Sequence, residues 1–141
     1  YKGKLDLIFT SPPYFNREAY SEDPSQSYKK YGSSYDSWVE GFLRPTLETC
    51  AEYLKPNRYM LWNVSDILVS GKYLPIEQDS IDILKSNGLE YQYTIKMALE
   101  GMPGQNRMGE DGKPTCKNYC MIDGKYMKYE PVFVFKKCLK Y

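Results

Sequence analysis

Histidine is absent from the 141 residues, which removes every catalytic arrangement built on an imidazole base, the serine–histidine triads included. Long apolar runs are missing as well. No stretch approaches the ~20 residues of a membrane-spanning helix, and no signal segment opens the chain. A surplus of one charge is lacking too: 19 basic against 18 acidic residues leave +1, without the basic excess of sequence-independent nucleic-acid binders. The local cluster Lys136, Lys137 and Lys140 reads as a solvated tail. Cysteine is sparse, and Cys116 and Cys120 are separated by three residues rather than two, which argues against a zinc site and for free thiols in a reducing cytosol. What is abundant is tyrosine, 15 in all, a residue equally suited to surfaces that meet bases or sugars and to cores whose hydroxyls reach water.

The length suits a single domain, residues 1–141, with a modest core. Its first segment, Leu5-Asp6-Leu7-Ile8-Phe9, is apolar apart from Asp6 and stops at prolines, as a central strand does. Thr10-Ser11-Pro12-Pro13-Tyr14-Phe15 follows directly. Pro12 and Pro13 fix their own φ, push their predecessors toward extended geometry and remove two N–H donors, so a stiff backbone with free carbonyls leaves the strand. Ser11 adds a hydroxyl, and Tyr14 and Phe15 add ring faces for stacking. Acceptors beside a flat wall suit a planar amine. The same letters, taken alone, describe a strand-ending turn or a short polyproline element.

Residues 16–33 form a polar stretch that reads as a long functional loop. From Ser34 as N-cap, Trp38, Val39, Phe42, Leu43, Leu47, Cys50, Ala51 and Leu54 recur at helical spacing. Pro45 predicts a kink or break in that helix. A second buried strand is expected over Arg58 to Val64, with Asn63, Ser65 and Asp66 at its carboxyl end, the edge where open α/β sheets bind ligands. A helix is expected from Pro75 to a stop at Gly88. An edge strand should then carry Tyr91, Tyr93, Ile95 and Met97 on one face and Gln92, Thr94 and Lys96 on the other. Val132 to Phe135, apolar on both faces, reads as a central strand that inserts antiparallel between the second and third. Residues 98–128, rich in glycine, read as a substrate-contacting or partly disordered insertion.

Strand plus Thr10-Ser11-Pro12-Pro13-Tyr14 resembles motif IV of the amino-methyltransferases of DNA, which move a methyl group from S-adenosylmethionine to cytosine N4 or adenine N6. Trp38 to Leu54 is similar to the helix after that motif, Lys55 to Tyr59 to its exit turn, and Tyr129 to Lys136 to the last strand of the catalytic domain. The resemblance implies an α/β, partial Rossmann-like methyltransferase fold: a mostly parallel sheet with an antiparallel last strand inserted next to the edge strand. It implies Ser11, Pro12, Pro13 and Tyr14 as catalytic residues, Tyr14, Phe15 and Tyr20 against a flipped target base, and Thr10, Ser11 and Asn63 on the cofactor side, with no metal. S-adenosyl-L-methionine is the implied cofactor and DNA the implied partner, in a restriction–modification or phage setting.

The chain departs from that family in one respect. A glycine-rich turn after an apolar strand, followed by an acidic residue for the ribose, has no counterpart here; Gly101 and Gly104 lie in a polar stretch. The cofactor-binding half is therefore expected outside these residues, upstream given a start at Tyr1, and the chain alone is expected to bind S-adenosylmethionine weakly. Serine at the first motif position tilts the target toward cytosine and leaves adenine open. Two other readings stay open: RNA or protein-glutamine methylation, whose corners usually begin with asparagine, and a binding module without turnover.

Overall fold

The computed structural model describes residues 1–12, 34–99 and 108–139. Strand β1 (Leu5–Thr10) pairs in parallel with β2 (Leu54–Asn63), in the register Leu7 with Tyr59, Ile8 with Met60, Phe9 with Leu61 and Thr10 with Trp62. Strand β2 begins four residues earlier than the sequence pattern suggests. The register jumps between Leu5 opposite Leu54 and Leu7 opposite Tyr59, so residues 55–58 bulge out, with Asn57 at φ 66° absorbing the turn.

The described part of the connection from β1 to β2, residues 34–53, is one helical run rather than two pieces. Ser34 caps it, its hydroxyl accepting the Ser37 N–H at 3.4 Å. Helix α1 (Tyr35–Trp38) passes through a π-turn (Val39–Leu43) into α2 (Arg44–Tyr53) with right-handed helical dihedrals at both junctions. The break expected at Pro45 is absent because the wider turn lets the Arg44 N–H reach the Val39 carbonyl. Pro45 then falls in the first turn of α2, directly after the widened turn. Trp38, Leu43 and Leu47 are fully buried. Each such burial contributes about 1.5–3 kcal/mol, more than the small propensity cost of Gly41 within the run.

After β2 come a short hairpin, β3 (Ile67–Val69) and β4 (Lys72–Leu74), and helix α3 (Ile76–Ser86). Helix α3 ends just before Gly88, at φ 86°, whose carbonyl accepts the Cys138 N–H at 2.9 Å. Strands β5 (Leu89–Ala98), β6 (Tyr119–Ile122) and β7 (Lys125–Lys137) complete the sheet. Its order is β1-β2-β7-β5, with β7 antiparallel to both neighbours and β6 paired to the first part of β7. The last strand is thus inserted and central, as its two-sided apolar pattern requires.

Two expectations change in detail. A bulge between Tyr91 and Tyr93 interrupts the alternation of β5. It turns Tyr91 onto the helix side, 6.4 Å from Phe133 and 6.0 Å from Phe135 between ring centroids, and leaves Tyr93, Ile95 and Met97 on the other face. Strand β1, read as central, pairs on only one side among the described residues. Leu7 and Phe9 are each 59% exposed.

The core explains both observations. Ile8, Met60, Trp62, Phe133 and Phe135 pack with Trp38, Leu43, Leu47, Ile76, Ile83 and Leu84, so the described helices all cover one face of the sheet. Leu7, Phe9, Tyr93, Ile95 and Met97 belong to the opposite face and are exposed.

Candidate active site

Strands β1 and β2 end together. Thr10, the last residue of β1, lies opposite Trp62, so Ser11 leaves the sheet at the same edge at which Asn63, the last residue of β2, ends its strand. Ser11 is exposed and Pro12 is buried. A hydroxyl open to solvent therefore sits on a proline packed into the molecule. Alternation puts Leu7 and Phe9 on one face and, by register, Leu61 and Asn63 with them. Thr10 is exposed and points to the other side. Pro13, Tyr14, Phe15 and Tyr20 lie outside the described residues.

Strand β7 runs past this edge. Asn63 pairs with Val132, so residues 125–131 continue beyond the end of β2. Leu99 N–H donates to the Lys128 carbonyl at 2.8 Å, and Tyr129 N–H donates to the Asn118 carbonyl at 2.9 Å. Adjacent residues of a strand direct their backbone groups to opposite edges. Strand β6 consequently occupies the edge of β7 that β2 has left, standing above Asn63. The hairpin carries lysines on tyrosine rings: Lys128 over Tyr119 at 5.3 Å and, from the end of β5, Lys96 over Tyr129 at 5.2 Å.

A charged network fastens this wall to the sheet. Asp66, three residues beyond β2, accepts the Glu77 N–H at 2.8 Å, while its own N–H donates to the Glu77 carboxylate at 2.9 Å. This reciprocal pair anchors the first turn of α3. Lys117 Nζ donates to the second Asp66 oxygen at 2.6 Å, and the Lys117 N–H donates to the Tyr73 hydroxyl at 3.0 Å. Burial acts to lower the Lys117 pKa, but the Asp66 hydrogen bond and the charges of Glu77 and Asp66 together raise it. In the helix layer, Tyr35 donates to Asp79 at 2.7 Å. Burial first, then that bond, pushes its phenol far above the ordinary range.

Sequence reasoning placed Thr10, Ser11, Pro12 and Asn63 at the strand ends, and all four are there. It overlooked Glu130, whose carboxylate accepts from Asn63 Nδ2 at 3.3 Å, and Lys117. The signal for both was the Asp123-Gly124 pair. Both residues have positive φ, 51° and 76°, the two-residue turn of a tight hairpin that folds residues 119–130 back over the edge. A cavity of about 440 Å³ lined by Asp36, Glu40, Arg44, Asp79, Asp82 and others lies in the helix layer and shares no residue with the corner. Among the described residues no group of three or more acidic, cysteine or histidine side chains could hold a metal, and no helix is long and apolar enough to cross a membrane.

A strand-end serine–proline corner on an α/β sheet whose final strand is inserted antiparallel is the arrangement of a partial Rossmann-like methyltransferase fold. Residues 5–141 match the DNA methylase family of N6 and N4 methyltransferases, and the chain belongs to that family. It is 28% identical over 138 residues to the type II beta methyltransferase M.BslI of Bacillus sp. (strain NEB-606), covering 91% of this chain and 14% of that protein. Among solved structures it resembles TTHA0409 of Thermus thermophilus, assigned as a DNA modification methylase, with a TM-score of 0.58 and 17% identity, over 99% of this chain and 49% of that one. The same protein complexed with S-adenosyl-L-methionine aligns with a TM-score of 0.57 and 16% identity, over 99% of this chain and 48% of that one. The chain thus spans about half the length of the solved relatives and a smaller share of M.BslI.

Proposed function

We propose that the chain supplies the target-base half of a DNA methyltransferase that uses S-adenosylmethionine to methylate the exocyclic amine of a flipped cytosine or adenine. The observation that carries this reading is the exposed Ser11 hydroxyl on a buried Pro12, beside Asn63 at the carboxyl ends of two parallel strands. An aromatic amine is a poor nucleophile because its lone pair is delocalised into the ring. Ser11 Oγ and the Pro12 carbonyl accept its two hydrogens, draw the nitrogen toward tetrahedral geometry and direct the freed pair outward. The prolines hold these acceptors in place, which lowers the reorganisation on the way to the transition state. A base reaches this corner only out of its duplex, with Tyr14 the first stacking ring and Phe15 or Tyr20 the next. The Lys–Tyr pairs of the β6–β7 hairpin suit the flanking DNA backbone. Cysteines that form no disulfide among the described residues fit action in a reducing cytoplasm.

The residues in hand fit the amine side of the reaction and only the margin of a cofactor site, Thr10 and Ser11. Bound S-adenosylmethionine supplies an electrophilic methyl carbon. What holds it belongs to a further α/β segment, for which the described sheet leaves room. The outer edge of β1 has free backbone groups among the described residues, and the face bearing Leu7 and Phe9 carries no described helix. A strand added to that edge and helices laid on that face would cover what is now exposed.

Calorimetric titration of the chain with S-adenosylmethionine should give weak or no binding, and tight stoichiometric binding would overturn the divided site. In the native enzyme, Ser11→Ala should cut methyl transfer to duplex DNA about 10²–10³-fold, the scale for removing one preorganised polar partner, with the thermal midpoint unchanged. A variant that keeps full turnover would overturn the assignment of Ser11. A protein that binds DNA without transferring methyl groups would favour the binding-module reading.

A further inference from the structure

Asn63 presents a hydrogen-bonding problem that the fold leaves open. Its Nδ2 lies 3.3 Å from a Glu130 carboxylate oxygen. A carboxylate only accepts, so the amide has to turn its NH2 group toward Glu130, which fixes Oδ1 at the opposite end. That oxygen is buried and has no hydrogen-bond partner among the described residues. An unmet buried acceptor is destabilising, and one retained at a strand end asks for an explanation in function. Reversing the amide gives no relief, because Oδ1 would then meet the carboxylate.

Position supplies the explanation. Asn63 closes β2 one residue past Trp62, the partner of Thr10, so it ends its strand beside the point where Ser11 leaves β1, and it pairs with Val132 on the stretch of β7 that leads to the β6 hairpin. It is one strand inward from the open edge of β1, on the side away from any added cofactor segment. Ser11 can accept or donate and so does not distinguish an amine from a carbonyl. Oδ1, held by Glu130, only accepts.

We infer that Asn63 reads the exocyclic amine of the extruded base through Oδ1, and that Glu130 is the positioning residue that fixes the orientation of its amide. This deepens the methyltransferase reading and rests on it. A base with a keto oxygen in place of the amine brings lone pairs against lone pairs and is rejected. The assignment moves Asn63 from the cofactor side, where the sequence pattern set it, to the side of the target.

The test pairs protein variants with base analogues. Duplexes carrying the target base, its keto counterpart and an analogue without the exocyclic group are titrated against native protein, Asn63→Leu and Glu130→Gln. Native protein should prefer the amine over the keto base by at least about tenfold, the equivalent of one charge-free hydrogen bond gained and one repulsion avoided. Asn63→Leu should reduce that preference to about threefold or less, while affinity for the analogue without the group stays level. Glu130→Gln should lower the preference partway, since a glutamine can donate and lets the Asn63 amide turn round. Amine preference undiminished in both variants overturns the inference while leaving the function standing. Native protein with neither amine preference nor methyl transfer overturns the function itself. Should Asn63→Leu fail to fold by thermal melting, the near-isosteric Glu130→Gln decides, and an unchanged preference there overturns the inference.

Discussion

Strands β1 and β7 are written in nearly the same language and live in different places. Leu5 to Phe9 and Val132 to Phe135 are both apolar through successive positions, as strands covered on two faces are. In β7 that pattern is satisfied: it lies between β2 and β5, and residues 131–135 are all buried. In β1 it is not, since Leu7 and Phe9 stand out from the sheet at 59% exposure. A residue pattern records the environment a strand evolved in. The contrast marks β1 as the uncovered edge of the described sheet, and Ser11 lies just past the carboxyl end of that edge.

The sharpest way to break the comparison is to truncate an aromatic in each strand. Phe135→Ala removes a fully buried ring from the centre of the core, and a loss of about 3–5 kcal/mol is expected in urea unfolding. Phe9→Ser should change the stability of the same chain by no more than about 0.5 kcal/mol. It should instead lower the binding of hydrophobic dyes and the tendency to self-associate. Equal destabilisation in both would mean that β1 is already covered.

A smaller effect is expected at the amino end of the seam between β2 and β7. Lys137 is 7% exposed, and its Nζ donates to the Leu54 carbonyl at 2.6 Å. Lys137→Met keeps the length of the side chain and removes the donor, and about 1–3 kcal/mol should be lost in the same unfolding experiment. The smallest effect belongs to the exposed rim of β1. Lys55 donates to Asp6 at 3.0 Å, and Arg58 lies 3.6 Å away. The Lys55 hydrogen bond first, then its charge, holds the Asp6 carboxyl below its usual range. A depressed carboxyl stabilises the fold above the unfolded-chain value of about 4 and loses that contribution as pH falls through the folded value. Thermal midpoints followed from pH 6 to pH 2 should show a slightly shallower decline for Asp6→Asn than for the native chain, because solvent screens the pair.

Much of this architecture was legible because local patterns and tertiary demands agree. The buried face from Trp38 to Leu54, the helix after Pro75 and the inserted last strand all follow from periodicity and from capping residues. Lys137, read as part of a solvated tail, is instead buried at the end of β7 on the Leu54 carbonyl. Other misses share a physical cause, backbone irregularity. One bulge at Tyr91–Tyr93 reverses the facing of an alternating strand, and a widened turn removes the break that Pro45 announces. Two short hairpins, each turning on two positive-φ residues at Ser70-Gly71 and Asp123-Gly124, escaped because their strands are only three or four residues long on at least one side. At the site, Ser11 and Pro12 announced themselves by rigidity and chemistry. Glu130 was signalled only indirectly, by the Asp123-Gly124 turn, since its meeting with Asn63 joins positions 67 residues apart.

The π-turn at Val39–Leu43 has a consequence for any attempt to shorten the chain. Trp38 and Leu43 are five residues apart and both fully hidden, a separation that an ordinary helix would place about 140° apart around its axis. Excising a single residue from the turn would restore regular winding and swing Tyr35 and Trp38 by about 100°. The indole would leave the core for water, and the Tyr35 hydroxyl would let go of Asp79. One surplus residue therefore acts as a phase adjuster, keeping the start of the helix in step with the sheet beneath it.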